Sequence, residues 1–206
     1  MNDIKVDYDV AQLWFKNEGD HTHSINYNLN KNSVVMDFGG YTGIWAQRII
    51  DKYDPYVYIV EPIPNLYLQL IEKFKNNKKV KVLNTGVSDK DEEVLFYLNG
   101  DQSSRHPQEG QTITVSNKTV ESILNLFNLT HVDLLQINIE GDEYSVLEHM
   151  FKNNIIEKFE NIQIQFHLGI DGDIKRRDII RDNFVSLGYA LNFDYPFVWE
   201  SWKRKN

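Results

Sequence analysis

The feature that most constrains this chain is the stretch over residues 33–43, SVVMDFGGYTG. Val34, Val35 and Met36 are a short apolar run, read as a buried strand, which closes on Asp37 and then a glycine turn. Beyond Gly43 the large residues fall at Trp45, Ala46, Ile49, Ile50 and Tyr53, the spacing of one helix face. Strand, glycine turn and helix in this order open a nucleotide-binding α/β unit. Glycine suits the turn because the backbone there takes dihedrals closed to other residues and lets a ligand come close. The free N–H groups at the helix start attract an anion.

The ligand is narrowed by the spacing. The glycines stand at 39, 40 and 43, a G-G-x-x-G pattern and not the G-x-G-x-x-G that cradles a pyrophosphate. Asp37 would repel a pyrophosphate and suit an ammonium or sulfonium charge. S-adenosylmethionine (SAM) carries both and no phosphate. The next apolar run, 56–60, closes on Glu61, 24 residues after Asp37. An acid at the end of the second strand of such a unit is placed to bind both ribose hydroxyls. The expectation is a SAM methionine end over Gly39, Gly40 and Gly43, near Asp37, with the ribose on Glu61.

The 206 residues suit one α/β domain over 33–206, preceded by a helical segment over 1–32 that is a candidate lid. That segment carries Val10, Leu13, Trp14 and Phe15 as an apolar cluster, and His21 and His23 as a weak chelate candidate. The net charge of −8 speaks against nucleic acid, which is bound through dense Lys/Arg neutralisation of phosphates. The basic clusters at 175–177 with Arg181, and at 203–205, read as solvated faces. Cysteine is absent, which excludes disulfides and thiolate metal sites. No apolar run nears the roughly 20 residues that span a bilayer, and residues 1–5 lack a signal-peptide core. A cytoplasmic protein without a membrane partner is expected.

Further along, 65–77 reads as a helix, 80–83 as a third strand, 94–97 and 112–115 as a hairpin-like excursion, and 120–127 as a short helix. The segment 84–89, with Val87, Ser88 and Asp89, follows the third strand at its carboxyl end, where open α/β sheets bind ligands. The polar stretch 99–110 is a rim loop. Residues 177–187 read as a helix, followed by a terminal strand pair across Tyr195-Pro196.

Two strands share an anomaly. In 134–141 the residues Gln136, Asn138 and Glu140 alternate with apolar ones, and in 162–167 so do Gln163, Gln165 and His167. Central strands of a doubly wound sheet are covered on both sides and should be apolar throughout. Unpaired buried amides cost roughly 1–3 kcal/mol each, so these residues either bond to one another as an amide ladder or face a wet cleft. The second alternative makes this face the floor of an active site, with Asn138, Glu140 and His167 at its edge. Asp142 and Glu143 then open a helix, where acids suit the helix dipole.

These residues resemble a known family, the FkbM-type SAM-dependent methyltransferases, over roughly 18–190. The resemblance rests on the 34–43 stretch, Glu61-Pro62, Gly86-Val87-Ser88-Asp89, Ser103-Ser104, and above all DLLQINIEGDE at 133–143. It implies a Rossmann-like class I fold, a seven-stranded, mostly parallel sheet with a terminal antiparallel strand. It also implies SAM as cofactor, S-adenosylhomocysteine as product, and O-methylation of sugar or polyketide hydroxyls. Pro62, Val87, Ser88, Asp89 and Asn138 join the cofactor set. The chain departs from the family in carrying Gln136 and Asn138 where Lys and Asp are usual. Glu140 and His167 are left as bases, and His167 titrates in the useful range when unperturbed. No dedicated metal site is expected, although Glu140, Asp142, Glu143 and His167 are all donors to a divalent ion.

The reading is therefore a methyltransferase acting on a hydroxyl of a carbohydrate or glycosylated small molecule, with Tyr41, Trp45 and Tyr144 as aromatics at the rim. The alternatives are a SAM-binding module without turnover and a nicotinamide dehydrogenase on a similar fold. The nucleobase amino-methyltransferase signature, Asp/Asn-Pro-Pro-aromatic, is replaced here by Asn138-Ile139-Glu140-Gly141.

Overall fold

The computed structural model describes residues 8–98, 103–106 and 111–205. Residues 1–7 of the N-terminal segment and most of the expected rim loop lie outside these. Seven strands form one sheet in the order β3-β2-β1-β7-β8-β10-β9. They are β1 (Val34–Phe38), β2 (Tyr56–Val60), β3 (Val80–Leu83), β7 (Val132–Ile137), β8 (Phe159–Ile164), β9 (Tyr189–Tyr195) and β10 (Trp199–Arg204). The pairs β2–β3, β1–β2, β1–β7 and β7–β8 are parallel, and β10 runs antiparallel to both its neighbours. The fold is the Rossmann-like one expected. The excursion is a second sheet of β4 (Gly86–Val87), β6 (Gln111–Lys118) and β5 (Glu92–Leu98).

Alternation in the strands sends side chains to two cores. Helices α3 (Ile44–Tyr53) and α4 (Pro64–Phe74) cover one face, where Val35, Ile59 and Leu134 meet Ala46, Ile49, Leu70 and Phe74. Helices α5 (Val120–Phe127), α6 (Glu143–Lys152) and α7 (Asp173–Ser186) cover the other, where Met36, Phe38, Leu135 and Ile137 meet Ile123, Leu147, Met150 and Phe184. Trp202 completes that core, stacked on Phe184 with ring centroids 4.9 Å apart.

At the N-terminus, α1 (Tyr8–Lys16) and the single turn α2 (Gly19–Thr22) lie against β9. The expected four-residue cluster is split. Trp14 is buried against Tyr195 and Phe193, whereas Leu13 and Phe15 are exposed. His23 is packed among the same rings, with Nε2 at 3.2 Å from the Tyr195 hydroxyl. Among the described residues no metal-binding cluster of His and acids occurs. The basic run on α7 is paired: Arg176 with Glu148, and Arg177 and Arg181 with Glu200 and Asp194. Among the described residues no helix is long and apolar enough to cross a membrane.

Candidate active site

Both anomalous strands stop earlier than their alternation, β7 at Ile137 and β8 at Ile164. The polar row divides there. Gln136 lies opposite Asp37 on one side and Gln163 on the other, and Gln163 lies opposite Ser201. The row is buried and bonded throughout. Gln136 Nε2 donates to Asp37 Oδ1 at 3.2 Å, Gln163 Nε2 to Gln136 Oε1 at 2.7 Å, and Tyr27 OH to Gln163 Oε1 at 2.8 Å, with Ser201 Oγ 2.9 Å from that hydroxyl. The inner amides are thus a ladder and not a cleft floor, which corrects the reading of a continuous polar floor. Asp37 belongs to the ladder and not to the cavity wall. Its carboxyl is pushed up to about 7, chiefly by burial and also by the Glu61 charge, against the Gln136 hydrogen bond.

Two residues further along the same strands, Gly39, Asn138 and Gln165 reach a cavity of about 330 Å³, within the usual range for a small-molecule site. Gly39 is required where it stands. Its φ is +86°, and a Cβ there would lie 1.9 Å from the Asn138 carbonyl oxygen. Asn138 Oδ1 is buried and has no hydrogen-bond partner, so it awaits a donor.

Glu61 is buried in the cavity wall. Its Oε2 accepts from Tyr41 N–H at 2.8 Å and its Oε1 from Ile63 N–H at 2.8 Å. A carboxylate has about four lone-pair sites, so room remains for two hydroxyl donors, the arrangement of a vicinal diol. Burial raises its pKa to about 7, against those two backbone hydrogen bonds. Pro62 and Val87 also line the cavity, whereas Gly40, Gly43, Ser88 and Asp89 do not. Ser88 is buried with its hydroxyl 3.2 Å from Asp89 Oδ1, and Asp89 lies 3.7 Å from Arg105.

Glu140, Asp142 and His167 also line the cavity. The turn that carries Glu140 is left-handed, with φ +54° there and +107° at Gly141. Glu143, at the start of α6, has a side chain with 0% exposure. Its Oε2 accepts from Gly141 N–H at 2.9 Å, and its Oε1 from His167 N–H at 2.6 Å and from the ring at Nδ1, 3.0 Å away. The other ring nitrogen, Nε2, is 3.3 Å from Glu140 Oε1. Burial alone would lower the His167 pKa. The hydrogen bonds and charges of Glu140 and Glu143 outweigh it and push the ring up to about 10. The two carboxylates thus favour the doubly protonated ring over the neutral base that its residue type suggests. Asp142 is bonded by Arg105 Nε at 2.6 Å. Burial raises its pKa to about 6, opposed by Arg105.

The expected rim aromatics separate. Tyr41 lines the cavity. Tyr144 is fully buried against Phe166 and donates to the His167 carbonyl at 2.7 Å, and Trp45 packs on the α3 side with its N–H on Ser24 O. Ile63, Leu66 and Phe96 line the cavity without having been singled out, and Gln165, from the polar face read as a floor, and Ser103, from the serine pair of the family resemblance, line it too. Ile63 directly follows Pro62 and Leu66 lies in the first turn of α4 just beyond, a signal available in the sequence. Arg105, isolated in a polar stretch, gave none.

The residues fit SAM: a diol acceptor in Glu61, an orphaned acceptor in Asn138, and a backbone approach that only Gly39 allows. Comparison with known proteins gives the same picture. Curated proteins offer no significant sequence match. Among solved structures, the chain is similar to fibrillarin in its complex with Nop5p, at 12% identity, covering 96% of this chain and 81% of that one, TM-score 0.55. It is similar to the 23S rRNA methyltransferase ErmE at 13% identity, covering 91% and 68%, TM-score 0.52. It is also similar to the precorrin-6y C5,15-methyltransferase of Geobacter metallireducens at 10% identity, covering 100% and 92%, TM-score 0.51. At such identities the likeness is one of fold. The Methyltransferase FkbM domain model matches residues 37–191, most of the chain and all of the cavity wall. The chain belongs to the FkbM methyltransferase family and is a SAM-dependent methyltransferase.

Proposed function

We propose that this methyltransferase acts on a hydroxyl of a carbohydrate or glycosylated small molecule, with Glu140 as the proton acceptor. The observation that carries the reading is the charge pattern of the acceptor wall. It holds two carboxylates, Glu140 beside His167 and Asp142 paired with Arg105, together with the amides of Asn138 and Gln165. Carboxylates and amides bond hydroxyl hydrogens well. The net charge of −8 speaks against a polyanionic acceptor. The fibrillarin and rRNA-methyltransferase likeness is one of fold and assigns no acceptor.

SAM supplies an activated methyl group when bound. Glu61 and Asn138 hold the cofactor's hydroxyl and amino groups. Tyr41 and Phe96 offer apolar faces to a sugar ring. Positioning of the acceptor is the larger part of the catalysis. The acceptor O–CH3 bond would form as the sulfonium S–CH3 bond of bound SAM is cleaved, with release of S-adenosylhomocysteine; Glu140 would take the hydroxyl proton, and His167 would hold that carboxylate in place. The test is methyl transfer from labelled cofactor to neutral oligosaccharides, nucleotide-linked sugars, RNA and peptides. Labelling of a saccharide supports the reading, and labelling of RNA or peptide with none of any sugar rejects it. With the acceptor in hand, Glu140→Gln is expected to lower kcat by roughly 10²–10⁴-fold while leaving cofactor affinity near native.

A further inference from the structure

We propose that Glu143 is the positioning residue of the methyl-transfer site: its buried carboxylate holds His167 by two N–H groups and, through the ring, sets the Glu140 carboxylate against the cavity. The role rests on the reading of Glu140 as proton acceptor, and nothing in the helix-dipole account of Glu143 requires it.

The geometry carries the argument. Glu143 is not part of the cavity wall and cannot touch an acceptor. Every hydrogen bond recorded for its carboxylate goes to the two residues that shape the acceptor side, Gly141 and His167. Among the described residues no Lys or Arg forms an ion pair with it. A buried carboxylate is costly unless paired, and the pair available is the His167 ring. That requires a proton on Nδ1. Nε2 lies 3.3 Å from Glu140 Oε1, an ion-pair distance that favours a proton on Nε2 as well. The result is a carboxylate–imidazolium–carboxylate chain with one end buried and the other in the cavity. The left-handed φ of +54° at Glu140 is a conformation of restricted access for a residue with a Cβ.

The other charged groups around the ring are accounted for. Asp142, on the turn before α6, is paired with Arg105 Nε at 2.6 Å. His106 Nε2 lies 3.7 Å from the same carboxylate. Tyr144 on α6 donates to the His167 carbonyl, and Arg176 of α7 lies over the Tyr144 ring at 5.1 Å. Glu140 and Glu143 are left as the groups that bond the imidazole directly.

The experiment follows the ring of His167 by NMR titration in the native protein and in Glu143→Gln, alongside kcat and KM. Gln keeps the shape but carries no charge, and its single acceptor oxygen can serve either Gly141 N–H or the His167 N–H and ring, which share Oε1. In the native protein the ring should remain doubly protonated through pH 8. In Glu143→Gln its pKa should fall by at least one unit. The same variant should lose about ten- to a hundredfold in kcat, the usual effect of removing the partner that orients a functional histidine, with KM for SAM within twofold of native. A native His167 that titrates near pH 6–7 overturns the proposal, and does so even where the variant fails to fold. An unchanged ring and kcat with only a lower melting temperature overturns it too, leaving Glu143 as a structural cap. The titration needs no acceptor. A failure to find a methylated sugar therefore strikes the acceptor class alone, whereas a fully active Glu140→Gln removes the role of Glu140 on which this proposal rests and overturns it as well.

Discussion

At the scale of single residues, the side chains that matter are those whose charge the fold has displaced. Glu61 is the clearest. Burial raises its pKa to about 7, whereas a diol is bound best by the ionised form. Cofactor affinity is therefore expected to rise with pH up to about 7 and level off above it. Below that point it should weaken by up to tenfold per unit, the linkage of one proton. Calorimetry between pH 5.5 and 8.5 checks this, and Glu61→Gln should flatten the profile, which removes any contribution from titration of the ligand itself. Glu61→Ala should weaken binding by about 1.5–3 kcal/mol, the range for hydrogen bonds to a charged group. Unchanged affinity in that variant would remove Glu61 from the ribose site. The same displacement explains what the sequence concealed. His167 looks like an ordinary base because its partner Glu143 lies 24 positions away, and only the fold brings them together.

At the scale of elements, the glycine turn after β1 is the joint on which the cavity depends. Gly39 N–H donates to the Val60 carbonyl at 3.0 Å, and Asn138 N–H to the Phe38 carbonyl at 3.0 Å. The turn thus touches both neighbouring strands at their carboxyl ends. Gly39→Ala would place a Cβ against the Asn138 carbonyl at a positive φ. A loss of roughly 2–5 kcal/mol is expected from strain and overpacking together, with a matching drop in melting temperature and a weaker cofactor site. A native-like melt would show that the turn has room to shift. Local pattern read the elements well where it was undisturbed: β3 over 80–83 and α5 over 120–127 stand where the periodicity put them. It overran β7 and β8 because polar residues continue to alternate after the ladder of backbone hydrogen bonds has ended. Glu140 and Gly141 turn left-handed there, which a count of every second residue does not register. The α1 cluster misled for a related reason: four apolar residues are present, but the contacts with β9 fall on Val10, Ala11 and Trp14.

At the scale of the whole molecule, the buried row from Asp37 to Ser201 ties four adjacent strands and the Tyr27 segment into one unit. Its acid is a standing cost. With the folded pKa raised from 3.8 to about 7, the penalty is absent below the lower value, grows as pH rises, and is complete above the higher. Asp37→Asn still accepts the Gln136 N–H and should stabilise the protein at pH 8 by a few kcal/mol, on the order of 1.4 kcal/mol per unit of displaced pKa, and hardly at all at pH 4. Denaturant unfolding of both proteins at the two pH values checks this, and an equal difference at both would clear Asp37 of the cost. What the row gives in return concerns assembly. Slide β7 by one residue and Leu135 or Ile137 comes to face Asp37 and Gln163, stranding an acid and two amides at roughly 1–3 kcal/mol apiece. Apolar strands would forgive the slip. A chain with this row has a proofreader in its interior, which rejects mispaired sheets while the fold is still forming.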